Sequence, residues 1–374
     1  MKVLILTITA GQGHNKTARA VYDSLKNRGI NADIIDTYQY FNRALSKLVE
    51  KGYLISTKYA PTMYGNIYRL EEKRDHSEDR ITMVDVGSKI VARQFAKFIA
   101  RQNPDVIVAT HIFAAHLVSV FKERQIINAT TIGILTDFCV HPFWETANID
   151  YYVTPNALLN NQLLKKGIPL ERILPFGIPI EEKFSKKIDK QQARALLGIA
   201  DMPTVFMMTG SMGYGDMLKY IKQMDTLEEE FQILCVCGNN KHLKRQIDRL
   251  QTKKTIYNFG FVDNVDVMMD ASDYMVSKPG GLTVSEALAK GLPLILIDPI
   301  PGQEDRNSEF LLNNGLALAV SKTFPIDEAI YELMNNQARL RCLPEMVGDI
   351  GKPNASKQLG DFIIELDHTA STRN

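Results

Sequence analysis

From its first residues the chain alternates short apolar runs with longer amphipathic stretches, a rhythm that predicts parallel strands covered by helices. In the first half, the runs at residues 3–8, 32–36, 106–110, 131–137 and 151–154 predict strands. After the first of them Ala18, Val21, Tyr22 and Leu25 recur at helical spacing, and Gly29 supplies the helix stop. Residues 176–189 interrupt the rhythm with Gly177, Pro179 and mixed Glu and Lys, as a hinge does. The pattern restarts at 205–209, 233–237, 256–261, 274–277, 294–298 and 316–320, so a second sheet of similar build is expected. The expected fold class is α/β, with two Rossmann-like doubly wound domains: an N-terminal one over 1–180, a C-terminal one over 181–355, and a helix and tail over 356–374 that can return to the first.

Length agrees with this division, since 374 residues exceed one ordinary domain of about 100–200. Lys plus Arg number 44 against 43 Asp plus Glu, so no global field favours nucleic acid, and none is expected as a partner. Cys139, Cys235, Cys237 and Cys342 form no C-x-x-C and read as reduced thiols. The apolar start is too short for a signal peptide, and no run of about 18 residues is apolar enough to span a bilayer. A cytoplasmic protein is expected, with any membrane role peripheral. Between 43 and 69, Arg43, Lys47, Lys51, Lys58 and Arg69 face only Glu50, with Tyr53, Tyr59, Met63, Tyr64 and Tyr68 among them. That mixture suits an anionic membrane surface, and also an ordinary solvated helix pair.

In doubly wound sheets, ligands bind beyond the carboxyl ends of the strands, so the residues following each run carry the chemistry. The first run leads into Gly11-Gln12-Gly13-His14, a glycine turn that places an imidazole at the sheet edge; the bland reading is a loop histidine capping the helix. The run ending near 137 leads into Thr136-Asp137-Phe138-Cys139-Val140-His141. Asp137 there can steady an acceptor hydroxyl or a catalytic histidine, or simply shape the turn, and Trp144 can border a site or pack. In the second half, Gly210-Ser211-Met212-Gly213-Tyr214-Gly215 can hold a diphosphate through its amides or serve as a tight turn. Ser277-Lys278-Pro279-Gly280-Gly281-Leu282-Thr283-Val284-Ser285-Glu286 repeats the strand–glycine–helix pattern, with Glu286 either a ribose acceptor or a carboxylate favoured by the helix dipole. Gln303, Glu304 and Asn307, in a proline-stiffened loop, offer groups suited to a hexose. No Asp-x-Asp occurs, so no metal cofactor is expected.

Together the Lys-Pro-Gly-Gly-Leu-Thr-Val-Ser-Glu-Ala run, the Pro-Gly-Gln-Glu loop, the Thr136–141 turn and the opening Gly-x-Gly-His resemble the bacterial diacylglycerol glucosyltransferases and plant monogalactosyldiacylglycerol synthases over nearly the whole chain. The resemblance implies a GT-B fold, its two domains facing across a cleft, with acceptor and membrane on the N-terminal domain and nucleotide-sugar on the C-terminal one. It implies ribose on Glu286, the donor sugar near Gln303, Glu304 and Asn307, and Phe261 and Val262 bordering the base. Gly13, Gly210, Ser211, Gly213, Gly280, Gly281, Leu282 and Thr283 complete the expected nucleotide-sugar contacts. The sequence departs from the plant pattern at Gly11-Gln12-Gly13, where those enzymes carry three consecutive glycines. The implied activity is inverting transfer of a hexose, glucose before galactose, from a UDP-sugar to diacylglycerol, with His14 as base and Asp137 beside it. Three other readings share the fold: transfer to a polyprenyl-linked or soluble acceptor, nucleotide-sugar 2-epimerisation, and a non-catalytic UDP-sugar sensor.

Overall fold

A computed structural model describes residues 1–9, 12–41, 89–145, 147–210 and 215–371. The basic, aromatic segment 43–69 and the loop residues Ser211 and Gly213 therefore lie outside the described residues. The chain divides into two compact units, the first formed by Met1–Glu182, Ile300–Gln303 and Asn354–Asn374, the second by Lys183–Pro299 and Glu304–Pro353.

The first unit is built on β1 (Lys2–Thr7), β2 (Asn31–Asp36), β3 (Val106–Ala109), β4 (Thr130–Ile134), β5 (Tyr151–Val153) and β6 (Ile173–Leu174). All pair in parallel, in the order β2-β1-β3-β4-β5-β6. Strands covered on both faces must be apolar on both. In β1 Val3, Leu4, Ile5 and Leu6 are all essentially inaccessible, which is why the run reads as continuous rather than alternating. The order reverses between β1 and β3, so the loops after these two strands diverge and leave a crevice at their carboxyl ends. The long helix Ala355–Ser371 returns to this unit: Leu359 and Ile363 join the core made by Val3, Ile5, Val21 and Leu25, and Phe362 meets the rings of Tyr151 and Phe176. Ser24 donates to the Ser356 carbonyl at 2.8 Å, and Arg28 pairs with Asp361 at 2.9 Å.

The second unit carries β7 (Thr204–Met208), β8 (Gln232–Val236), β9 (Ile256–Phe259), β10 (Tyr274–Ser277), β11 (Leu294–Leu296) and β12 (Ala317–Ala319), in the order β12-β11-β10-β7-β8-β9. Every pairing is again parallel. Here the reversal falls between β7 and β10, whose following loops are the two glycine-rich segments. Both expected sheets are present; most strands end one or two residues short of the apolar runs, β4 ends three short, and β2 and β10 end with them; the two-residue β6 is an addition. Among the described residues no helix is long and apolar enough to cross a membrane.

Candidate active site

In the first unit the chemistry gathers at the β1/β3 reversal. The ends of the glycine turn are pinned by a chain of side chains: Thr7 donates to Asn15 at 3.0 Å, Asn15 Nδ2 donates to Thr9 Oγ1 at 3.0 Å, and Thr9 gives both its amide and its hydroxyl to Asp36. The helix Gly13–Lys26 then begins with Gln12 as its N-cap and no side-chain capping bond, so His14 is not a cap. Its ring turns instead to the end of β3, where Nδ1 lies 2.8 Å from the Thr110 carbonyl and 3.2 Å from Thr136 Oγ1. A carbonyl only accepts, so the ring proton sits on Nδ1 and Nε2 keeps a bare lone pair. Burial pushes the His14 pKa below 6.5, with the Asp137 charge and the Thr110 carbonyl working the other way.

Two more imidazoles share this edge. His111 caps the helix Ile112–Glu123, its Nδ1 accepting the Phe113 amide at 3.0 Å, and its ring meets His14 edge to face with centroids 4.6 Å apart. His141 Nδ1 accepts the Phe143 amide at 3.2 Å. A cavity of about 30 Å³ is lined by His14, His111, Thr136, Asp137, His141 and Trp144. Trp144 is also a packing residue, 5% exposed, with its ring against Tyr152 and pressed so close to Gly133 that a methyl group there would stand 2.7 Å from it.

In the second unit the expected donor residues fall on the β7 and β10 loops and their neighbours. Gly210 has φ +82° and Gly215 φ +133°, conformations that favour glycine. A side chain at Gly215 would touch Asp298 and Lys278, so the two loops and the end of β11 converge. The ten-residue helix Gly281–Lys290 starts at Gly280, which has no side chain to cap it, so the amides of Gly281, Leu282 and Thr283 are not claimed by a cap. Glu286 is 3% exposed within that helix. Glu304 lies against Gly280, at 3.8 Å from where a methyl group would stand. Asn307 is fully buried and donates from Nδ2 to the Pro279 carbonyl at 2.9 Å, which ties the helix Gln303–Asn313 to the glycine loop. Gln303, half-buried at the start of that helix, belongs instead to the first unit and lines the cavity that holds His14. Phe261 follows β9, the outermost strand, and is 64% exposed, with Val262 half-buried beside it.

The structure thus brings His14, Asp137 and His141 to one edge, and Gly210, Gly280, Gly281 and Glu304 to another. Gly13 stands with the first group, on the helix that carries His14. Sequence reasoning passed over His111, whose signal was akin to that of His14: a histidine between an apolar run and the helical stretch that follows it.

The family model described as Monogalactosyldiacylglycerol (MGDG) synthase matches residues 14–180, and that described as Glycosyltransferase family 28 C-terminal domain matches residues 204–359. A processive diacylglycerol beta-glucosyltransferase of Bacillus pumilus is 28% identical over 97% of this chain and 94% of its own. That of Bacillus subtilis is 26% identical over 97% and 95%. Among solved structures, Acinetobacter baumannii MurG superposes with a TM-score of 0.62 at 14% identity, covering 97% of this chain and 99% of its own. Os79 of O. sativa in complex with UDP superposes with a TM-score of 0.62 at 12% identity, covering 97% and 100%.

Proposed function

The chain belongs to the glycosyltransferases that join a monogalactosyldiacylglycerol synthase domain to a family 28 C-terminal domain, and on that footing we propose that it transfers glucose from UDP-glucose to diacylglycerol with inversion, His14 acting as general base. The observation that carries the reading is the bare Nε2 of His14, its tautomer set by the Thr110 carbonyl, in a cavity shared with Asp137. The acceptor hydroxyl oxygen attacks the anomeric carbon, its proton passes to Nε2, and the bond to the β-phosphate breaks with its electron pair leaving on UDP. An α-linked donor so inverted yields a β-glucosyl diacylglycerol. Galactose is the second choice of sugar.

On the donor unit, the amides at the start of the helix Gly281–Lys290, beside the turn at Gly210, receive the charge that develops on the departing diphosphate. Lys278, half-buried at the end of β10, adds a cation there, and the reading uses no metal. Glu286 takes the ribose hydroxyls. Phe261 offers an exposed ring to the base. Its strand lies three places from β10, roughly 15 Å along the sheet edge at one strand spacing each, a separation that suits the two ends of a nucleotide. Leu282, Thr283, Gln303 and Glu304 border the sugar, and Asn307 acts by holding the Pro279 turn.

Incubation with diacylglycerol vesicles and a panel of UDP-sugars, followed by mass analysis of the lipid, tests the reading. A hexosyl diacylglycerol is expected, formed faster on anionic than on neutral vesicles and slowed by salt, as for a peripheral enzyme at the inner face of the membrane. An epimerised nucleotide-sugar, UDP binding with no transfer, or product only from a polyprenyl-linked or soluble acceptor each refutes it. Glu286→Ala should raise the UDP dissociation constant about tenfold or more, since a hydrogen bond to a charged group contributes roughly 1.5–3 kcal/mol. Calorimetry showing wild-type UDP affinity in the folded variant would remove Glu286 from the ribose site.

A further inference from the structure

His111 has no part in the chemistry just described, yet its ring stands edge to face with that of His14 at 4.6 Å, with 74° between the ring planes, and lines the same cavity. The fold fixes its tautomer. His111 is the N-cap of the helix Ile112–Glu123, with extended backbone at φ −141° and ψ 143°, and its Nδ1 accepts the Phe113 amide at 3.0 Å. A nitrogen that accepts carries no proton, so the one proton of the neutral ring is on Nε2. Burial first, then His14 and His141, hold its pKa well below 6.5, so the ring stays a neutral donor at physiological pH. Capping does not explain why a histidine stands here, because Asn, Asp or Ser caps a helix at least as well with less bulk. Among the described residues the Nε2–H has no protein acceptor.

The chemistry of the neighbourhood says what that proton meets. The reacting hydroxyl gives its proton to His14 Nε2. In diacylglycerol the carbon next to that hydroxyl bears an ester, whose carbonyl oxygen is uncharged and only accepts. A second imidazole beside the base, locked as a neutral N–H donor, complements such an oxygen without placing a positive charge that would weaken His14 as a base. We propose that His111 is an acceptor-binding residue, its Nε2–H donating to the ester carbonyl adjacent to the reacting hydroxyl, so that the site distinguishes ester-linked from ether-linked diradylglycerol. This assignment rests on the transfer to diacylglycerol read above.

The test compares 1,2-diacylglycerol with the 1,2-dialkylglycerol of equal chain length in mixed vesicles, at saturating UDP-hexose, for the wild type and for His111→Asn. Asparagine keeps an oxygen near the Nδ1 position to cap the helix but removes the distal N–H. The wild type should show an acceptor KM about fivefold lower for the ester than for the ether, the effect of one net hydrogen bond. In His111→Asn the ester KM should rise to the ether value, while the UDP-hexose KM and the melting temperature stay near those of the wild type. A wild type indifferent to the ester overturns the proposal, as does a variant that keeps the preference. A variant in which both KM values rise together with a lowered melting temperature makes His111 structural and also overturns it. Failure of the reaction reading looks different: the wild type then makes no glycolipid from either lipid, and the assignment to His111 falls with it.

Discussion

Replacing His14 with alanine should cut turnover onto diacylglycerol by about a hundredfold to ten-thousandfold, the range that a positioned general base contributes, while UDP-sugar affinity stays close to that of the wild type. Stability should change little. Gln12 rather than His14 caps the helix, and what the substitution chiefly loses is the bond from Nδ1 to the Thr110 carbonyl at 2.8 Å, with the longer approach to Thr136 Oγ1. One such bond is worth about 1 kcal/mol, or roughly 2–4 °C in a unit of this size. The pH profile supplies an independent check. The base must be neutral, and burial holds its pKa below 6.5, so the acid limb of kcat/KM should inflect below 6.5. The Asp137 charge raises the His14 pKa, so Asp137→Asn should move that inflection to still lower pH. A His14→Ala enzyme within a few-fold of wild-type turnover, or an inflection above 6.5, would rule out the base.

The position of the candidate residues beyond the strand ends was legible because the sheet edge and the sequence carry the same information. A fully buried parallel strand reads as an unbroken apolar run, and the residue after it stands at the edge where ligands bind. This located His14 beyond β1, Asp137 beyond β4, and the glycines beyond β7 and β10. What could not be read were relations between residues distant in the chain. The tautomer of His14 depends on a carbonyl 96 residues away, and Asn307 serves a turn 28 residues before it. Asn307 read as one of three polar groups in a loop; its full burial and its bond to Pro279 separate it from Gln303 and Glu304. The helix Ala355–Ser371 shows an amphipathic face, but only the fold pairs Arg28 with Asp361 and seats Leu359 in the core of the first unit. Strand β6 is two residues long and has no period to detect.

The same dependence on distant partners governs the helix Gly281–Lys290, where the second large effect is expected. Lys290 is the last residue of the helix Gly281–Lys290, and its side chain is 1% exposed. Its ammonium donates to Asp270 Oδ2 at 2.5 Å and to the Lys186 carbonyl, so the end of the helix opposite the glycine turn is anchored by a buried ion pair. Burial holds the Asp270 carboxyl above its usual range despite Lys290, so the ionised form is disfavoured in the fold. Stability from this group is then greatest below the unfolded pKa near 3.8 and declines as pH rises through the higher folded value, so at neutral pH the pair contributes little net stability. Breaking it is another matter. Asp270→Ala leaves a buried ammonium with only a carbonyl partner and should cost about 3–5 kcal/mol, lowering the melting temperature by about 10 °C or more. Because the helix also carries Glu286, UDP affinity should weaken along with it. Asp270→Ala combined with Lys290→Met removes the stranded charge and should recover most of the loss. Thermal unfolding of the single and double variants decides the matter: a single variant that loses less than about 1 kcal/mol, or a double variant no more stable than the single, would mean that the buried ammonium does not depend on Asp270.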